Sequence, residues 1–180
     1  MSLDDYTIQE HQHRYCSWAA SRAASVNRCR FRVSQGKQII EASGLSALAL
    51  PNDLPSVEFI DQQHRYWRNQ VIASAKGLDL KFTHGVAAKL INVYLKTRFV
   101  CGGHHFHPQV AQLHPPIDAM LLKALSANDV GGFKKDWDRA ITIQWSKFDE
   151  SDYEYVIDLI RQTLGKKPLW IIESYWRGYQ

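Results

Sequence analysis

The chain has little cysteine: Cys16, Cys29 and Cys101 are all that its 180 residues contain. None are spaced as C-x-x-C and the number is odd. A disulfide framework is therefore not expected, and the thiols fit a reducing, cytoplasmic setting. No apolar run is long enough to span a membrane, and no segment reads as a signal peptide. Internal repeats and low-complexity stretches are missing too, which excludes solenoids and compositional tails. Neither sign of charge dominates. A net charge of +4 and a pI of about 9.0 suit a polyanionic partner but fall far short of a histone-like charge.

What the chain does have is apolar mass. Hydrophobic residues make up 45% of it, with six tryptophans, so it can bury a core. Its length suits one compact domain over 1–180. Punctuation and periodicity read mostly as helix. "TIQE" (Thr7 to Glu10) forms a capping box opening a helix to about Ser25. "SQGKQIIEAS" is a second helix, stopped by Gly44. "VEFIDQQHRYWRNQVIASAK" follows Ser56 as N-cap and ends at Gly77. A fourth helix runs from near Gly85 to about Val100. "CGGHHFHPQVAQLHPP", residues 101–116, reads as a long His-rich loop. "IDAMLLKALS" is the fifth helix, and "DVGGFKKDWD" breaks the pattern. "ITIQWSKF" alternates weakly, as a short strand or extended connection. "SDYE" (Ser151 to Glu154) is a second capping box, before a helix ended by Gly165. Pro168 opens a last helix, "PLWIIESYW". The fold class is all-α.

On the fourth helix, Gly85, Lys89, Asn92 and Lys96 fall at i, i+4, i+7 and i+11, one stripe. Taken alone, Lys89 reads as a solvated lysine on a polar face. Asp118, after Pro115 and Pro116, sits at the natural N-cap of the next helix, where its carboxylate can accept amide hydrogen bonds and meet the helix dipole. Taken alone, it reads as a plain cap.

Together the two segments resemble the helix-hairpin-helix DNA glycosylase superfamily, which includes endonuclease III and the 8-oxoguanine DNA glycosylases. There a hairpin G-[VI]-G-x-K leads into a helix carrying a catalytic lysine, and a later [PV]-x-D carries a catalytic aspartate. "GVAAKLINVYL" is similar to the first and "PPIDAMLLKAL" to the second, in family order. "YCSWAASRAAS" with "GKQIIEASGL", and "YEYVIDLIRQTLGKKPLWIIESYW", resemble the first and final helices of the smaller 8-oxoguanine glycosylases. The chain departs from the pattern at Ala87, where the second hairpin glycine would stand, and at "FTH" before Gly85. Its Lys89 to Asp118 spacing is longer than usual, and the iron–sulfur cysteines are absent.

The resemblance implies a glycosylase-like multi-helix domain that cleaves an N-glycosidic bond, with Lys89 as nucleophile and Asp118 as its carboxylate partner. It implies DNA or a nucleotide as partner, with 8-oxoguanine the first substrate guess. A lysine nucleophile must be neutral to attack, so its amine needs burial or nearby cations; Lys96, His84 and His114 are candidates for that field. A flipped base needs aromatic walls and polar edges. Trp18, Trp67, Trp170 and Trp176 are the candidate walls, each also a plausible core residue, and the expected substrate contacts are Trp170, Trp176, His84, His114 and Asn92. Gly85, Arg22, Arg28 and Arg30 are the expected nucleic-acid backbone contacts; Arg14, Arg32 and Lys37 extend that basic cluster, which reads equally as a solvated face. Cys101, His104, His105, His107 and His114 have no metal-ligand spacing, so no metal and no cofactor are expected. Two alternatives stay open. One is a non-catalytic nucleotide or nucleic-acid binder that keeps the fold. The other is a nucleobase-modifying enzyme acting on a non-duplex substrate.

Overall fold

The structure is a computed structural model that describes residues 6–178. Among these residues it is all-helical, with no strand; one isolated antiparallel bridge joins Val26 and Cys29. The α-helices are α1 (Ile8–Ala24), α2 (Val33–Ala42), α3 (Ile60–Lys76), α4 (His84–Leu95), α5 (Pro108–Ala111), α6 (Ala119–Ala127), α7 (Lys134–Ile143) and α8 (Glu150–Leu164).

Two apolar cores meet across α4. The first is built by α1, α2, α3 and most of α4, with Ile39, Ile40, Val71, Leu90, Ile91 and Tyr94 at its centre. The second is built by α6, α7, α8 and the 3-10 segment Leu169–Tyr175, around Leu121, Leu125, Trp137, Tyr153 and Ile160. Ala88 of α4 belongs to the second core, and Trp145 packs against both. Helix α4 is apolar nearly all round, so it can be stable only with partners on every side. Every residue from Gly85 to Asn92 is buried.

Several boundaries agree with the sequence. Thr7 caps α1 by accepting from the Glu10 amide at 3.2 Å, although the Glu10 carboxylate turns to Arg14 rather than closing a box. Gly44 follows α2 at φ 79°, a left-handed position natural to glycine. Asp118 is the N-cap of α6, extended at φ −148° and ψ 175°, with Oδ1 accepting from the Leu121 amide at 2.8 Å.

Other expectations are corrected. The segment from Phe133 to Trp145 is neither a break nor a strand. It holds α7, whose Trp137 and Ala140 are buried. Phe133, Trp137, Ala140 and Ile141 repeat at helical spacing, and this wins over the two-residue alternation of "ITIQW". The cap of α8 is Asp149, not Ser151. Asp149 accepts from the Asp152 amide at 2.8 Å, and Asp152 returns the bond to the Asp149 amide at 3.4 Å. The His-rich stretch is partly helical: α4 widens into π-helical turns over Lys96–His104, and the single turn of α5 follows. The last helix is 3-10 rather than α.

Candidate active site

The polar stripe of α4 faces the second core instead of water. Its first member, Gly85, is a close-approach position: a Cβ there would overlap the Trp145 carbonyl oxygen. The Gly85 amide donates to the Phe148 carbonyl at 3.1 Å, and the Val86 amide to the Thr83 hydroxyl at 3.1 Å. The Thr83 hydroxyl in turn donates to the Ser146 carbonyl at 2.9 Å. Gly85 is therefore not placed to contact a phosphate, because its donor is engaged inside the protein and the residue is buried.

One turn on, Lys89 meets Asp118. The Lys89 Nζ donates to Asp118 Oδ2 at 3.0 Å, across 29 residues of chain. Lys89 is only 6% exposed, and this is what separates it from an ordinary surface lysine. Asp118 Oδ2 also accepts from the Trp176 indole N–H at 3.0 Å, while Oδ1 caps α6. The Lys89 amine lies 5.7 Å from the centre of the Trp145 ring. Beside it, Lys96 pairs with Glu173 and lies 5.8 Å from the Trp176 ring. Two lysines, two carboxylates and two indoles thus form one group at the seam between the cores.

The electrostatics follow from burial. Desolvation pushes the Lys89 amine below its ordinary value, against the attraction of Asp118 and Glu173, and Lys96 adds to the push. Burial likewise raises Glu173, against Lys96. Burial also works to raise Asp118, but Lys89, the Leu121 amide and the Trp176 N–H outweigh it and hold the carboxyl below its usual range. Burial thus works against the charge on the amine, while that same charge helps to hold the carboxylate ionised beside it. A cavity of about 390 Å³, walled by Ala119, Leu122, Lys123, Gln144 and Trp145 among others, shares Trp145 with this group.

Asn92 and His114 lie elsewhere, in a buried chain of hydrogen bonds that crosses between the cores. Arg68 Nη1 donates to His64 Nδ1 at 3.2 Å, and His64 Nε2 to Asn92 Oδ1 at 2.7 Å. Asn92 Nδ2 donates to the Tyr153 hydroxyl at 2.9 Å and to the Pro115 carbonyl at 3.0 Å. The Tyr153 hydroxyl donates to His114 Nδ1 at 3.0 Å, and His114 Nε2 to Asp61 at 2.7 Å. These directions assign one neutral tautomer to each histidine, in keeping with burial lowering both of their pKa values. His114, above all, and then Arg161 at 2.6 Å hold Asp61 down at about 2. Asn92 is 1% exposed with both ends of its amide engaged, so it fixes helix packing instead of meeting a substrate.

The remaining candidates scatter. His84 lies 4.0 Å from Glu150, and burial lowers its pKa. Trp170 is half-buried, edge-on to His105 at 6.0 Å. Trp67 is core, and Trp18 is an exposed residue stacked on Tyr15 at 5.8 Å. Cys101 and His104 are exposed while His114 is buried, and among the described residues no three His, Cys, Asp or Glu side chains group as a metal site would need. Arg22 and Arg30 line a cavity of about 580 Å³ at the turn between α1 and α2; Arg28 is exposed nearby in sequence but does not line it. Two members of the site escaped the sequence, Glu173 and Trp145; Trp176 was expected there, but not its bond to Asp118. Lys96, one turn beyond Asn92 on the stripe, was the available pointer to Glu173.

No family model, curated protein or solved structure matches this chain.

Proposed function

We propose that this protein is a glycosylase-fold enzyme that cleaves the N-glycosidic bond of a modified nucleobase, with 8-oxoguanine in DNA the first candidate. The observation that carries this reading is the contact of a buried lysine amine with a helix-capping aspartate, brought together from segments 29 residues apart. Lys89 gives a proton to Asp118, and its nitrogen lone pair forms a bond to the sugar C1′. The bond from C1′ to the base breaks, and its electron pair leaves with the base, which takes the proton from Asp118 and so restores the carboxylate. Loss of a second Nζ proton and opening of the C1′–O4′ bond yield a Schiff base on Lys89 and a protonated O4′ hydroxyl. Asp118 stabilises the positive character that develops at C1′, and Trp176 keeps it oriented.

The test is release of free base from oligonucleotides carrying 8-oxoguanine or other damaged bases, single- and double-stranded. Wild-type protein releases base from at least one of them, and Lys89→Gln does not. No release from any member of that panel by folded protein would overturn the reading.

A second reading, a non-catalytic nucleic-acid binder on the same fold, has its own support. Both Asp118 oxygens are engaged internally, one by the Leu121 amide and the other by Lys89 and Trp176, which suits a structural role for this carboxylate. Oligonucleotide binding that persists with no base release in that panel is its signature.

A further inference from the structure

We infer that the turn between α1 and α2 is a binding pocket for a phosphate ester, separate from the Lys89 and Asp118 group. The pocket has a volume of about 580 Å³ and is walled by Arg22, Arg30, Arg32, Asn27 and Phe31 among others. Among the described residues, its arginines meet no carboxylate. Elsewhere Arg14, Arg65, Arg68 and Arg161 each meet a carboxylate. Arg22 and Arg32 meet none among the described residues, and Arg30 donates only to the neutral Asn27 amide oxygen, at 2.6 Å. The sequence explains this, because no Asp or Glu stands between Glu10 and Glu41. Three exposed guanidinium groups around one concavity repel one another, and an anion relieves that repulsion.

The walls are held in place without a ligand. The Ser25 hydroxyl accepts from the Phe31 amide at 3.1 Å and donates to the Phe31 carbonyl at 3.2 Å. Val26 and Cys29 exchange backbone bonds at 3.3 and 2.9 Å, closing the turn. Gly36 lets α2 lie against α1, since a Cβ there would overlap the Ser21 hydroxyl oxygen. Phe31 is half-buried and packs on Phe82, with ring centres 5.1 Å apart. A firm aromatic wall beside planar, fork-shaped donors suits a phosphate ester better than a bare inorganic ion. The source of the ester is either a free nucleotide or the backbone of a nucleic acid.

This inference stands apart from the chemistry of Lys89, so it is tested in Lys89→Gln protein, where catalysis is silent. The probes are adenosine monophosphate, inorganic phosphate and a fluorescent single-stranded oligonucleotide. Two variants lose the same charge: Arg22→Gln/Arg30→Gln/Arg32→Gln in the pocket, and Lys135→Gln/Lys166→Gln/Lys167→Gln on exposed surface elsewhere. The pocket variant loses about tenfold or more in affinity for the probe that binds, and the control changes by less than about twofold. Adenosine monophosphate binding that competes with the oligonucleotide identifies a free nucleotide as the source. Oligonucleotide binding alone, with a salt slope shallower by about 2 in the pocket variant, identifies backbone phosphates. Equal losses in both variants, binding of inorganic phosphate as tight as that of the ester, or binding of no probe at all would each overturn the inference.

Discussion

Replacing Asp118 with asparagine isolates what the carboxylate does for Lys89. Asparagine caps a helix as well as aspartate, so the bond to the Leu121 amide persists. What disappears is the counter-charge 3.0 Å from a buried ammonium. Removing one partner of a buried pair costs about 3–5 kcal/mol, and the one-fifth exposure of the Asp118 side chain reduces this to about 2–4 kcal/mol. The cost has a ceiling, because Lys89 can deprotonate instead. From an ordinary amine value of 10.5, neutralisation at about pH 7.5 costs about 4 kcal/mol, and at about pH 9.5 only about 1.4 kcal/mol. In the variant the folded-state amine titrates well below the unfolded one. The unfolded chain then binds more protons through that window, and the variant gains stability on wild type as pH rises. Lys89→Met leaves Asp118 with the Leu121 amide and the Trp176 N–H, and costs about 1–2 kcal/mol with little change between the two pH values. The double variant resembles Lys89→Met. Urea unfolding at both pH values measures all three. Equal losses for the two single variants, unchanged by pH, would refute the claim that the amine is buried against this carboxylate.

Gly85→Ala drives a methyl group into the Trp145 carbonyl, backbone against backbone, and should destabilise by about 3 kcal/mol in thermal or urea unfolding. Trp176→Phe removes the N–H donor from Asp118 and should cost about 1–1.5 kcal/mol while slowing base release, read from unfolding and single-turnover assays. His64, His84 and His114 all have folded pKa values below the ordinary 6.5, so the stability they contribute is complete above that value and lost as pH falls below it. The urea midpoint should therefore drop between about pH 7.5 and about pH 5.5. A midpoint unchanged over that range would contradict the neutral chain running from Arg68 to Asp61.

The sequence was most legible where one local rule governed the outcome. The 3.6-residue rhythm placed α1, α3, α6 and α8, and Asp118 declared itself as a cap through the prolines before it. The resemblance paired it with Lys89, and the structure places the two side chains in contact at 3.0 Å. Legibility failed where two rhythms competed, as at α7, and where two capping patterns overlapped, as at Asp149 and Ser151. It failed again in the polar stripe of α4. Polar residues on a helix face read as solvated, yet Asn92 and Lys89 are buried because a second core covers them. No local pattern announces that a helix lies between two cores. For the same reason Glu173 and Trp145, which reach the site from the far side of that seam, carry no signal in their own neighbourhoods.

Covalent capture reports on Lys89 as the proposed reacting amine. Borohydride added during turnover of a damaged or abasic oligonucleotide reduces the Schiff base to a stable adduct, which peptide mapping then locates. The adduct should form on Lys89, with full loss of trapping in Lys89→Gln protein that still unfolds cooperatively and much slower trapping in Asp118→Asn. An adduct on another amine, or trapping that survives Lys89→Gln, would contradict that role.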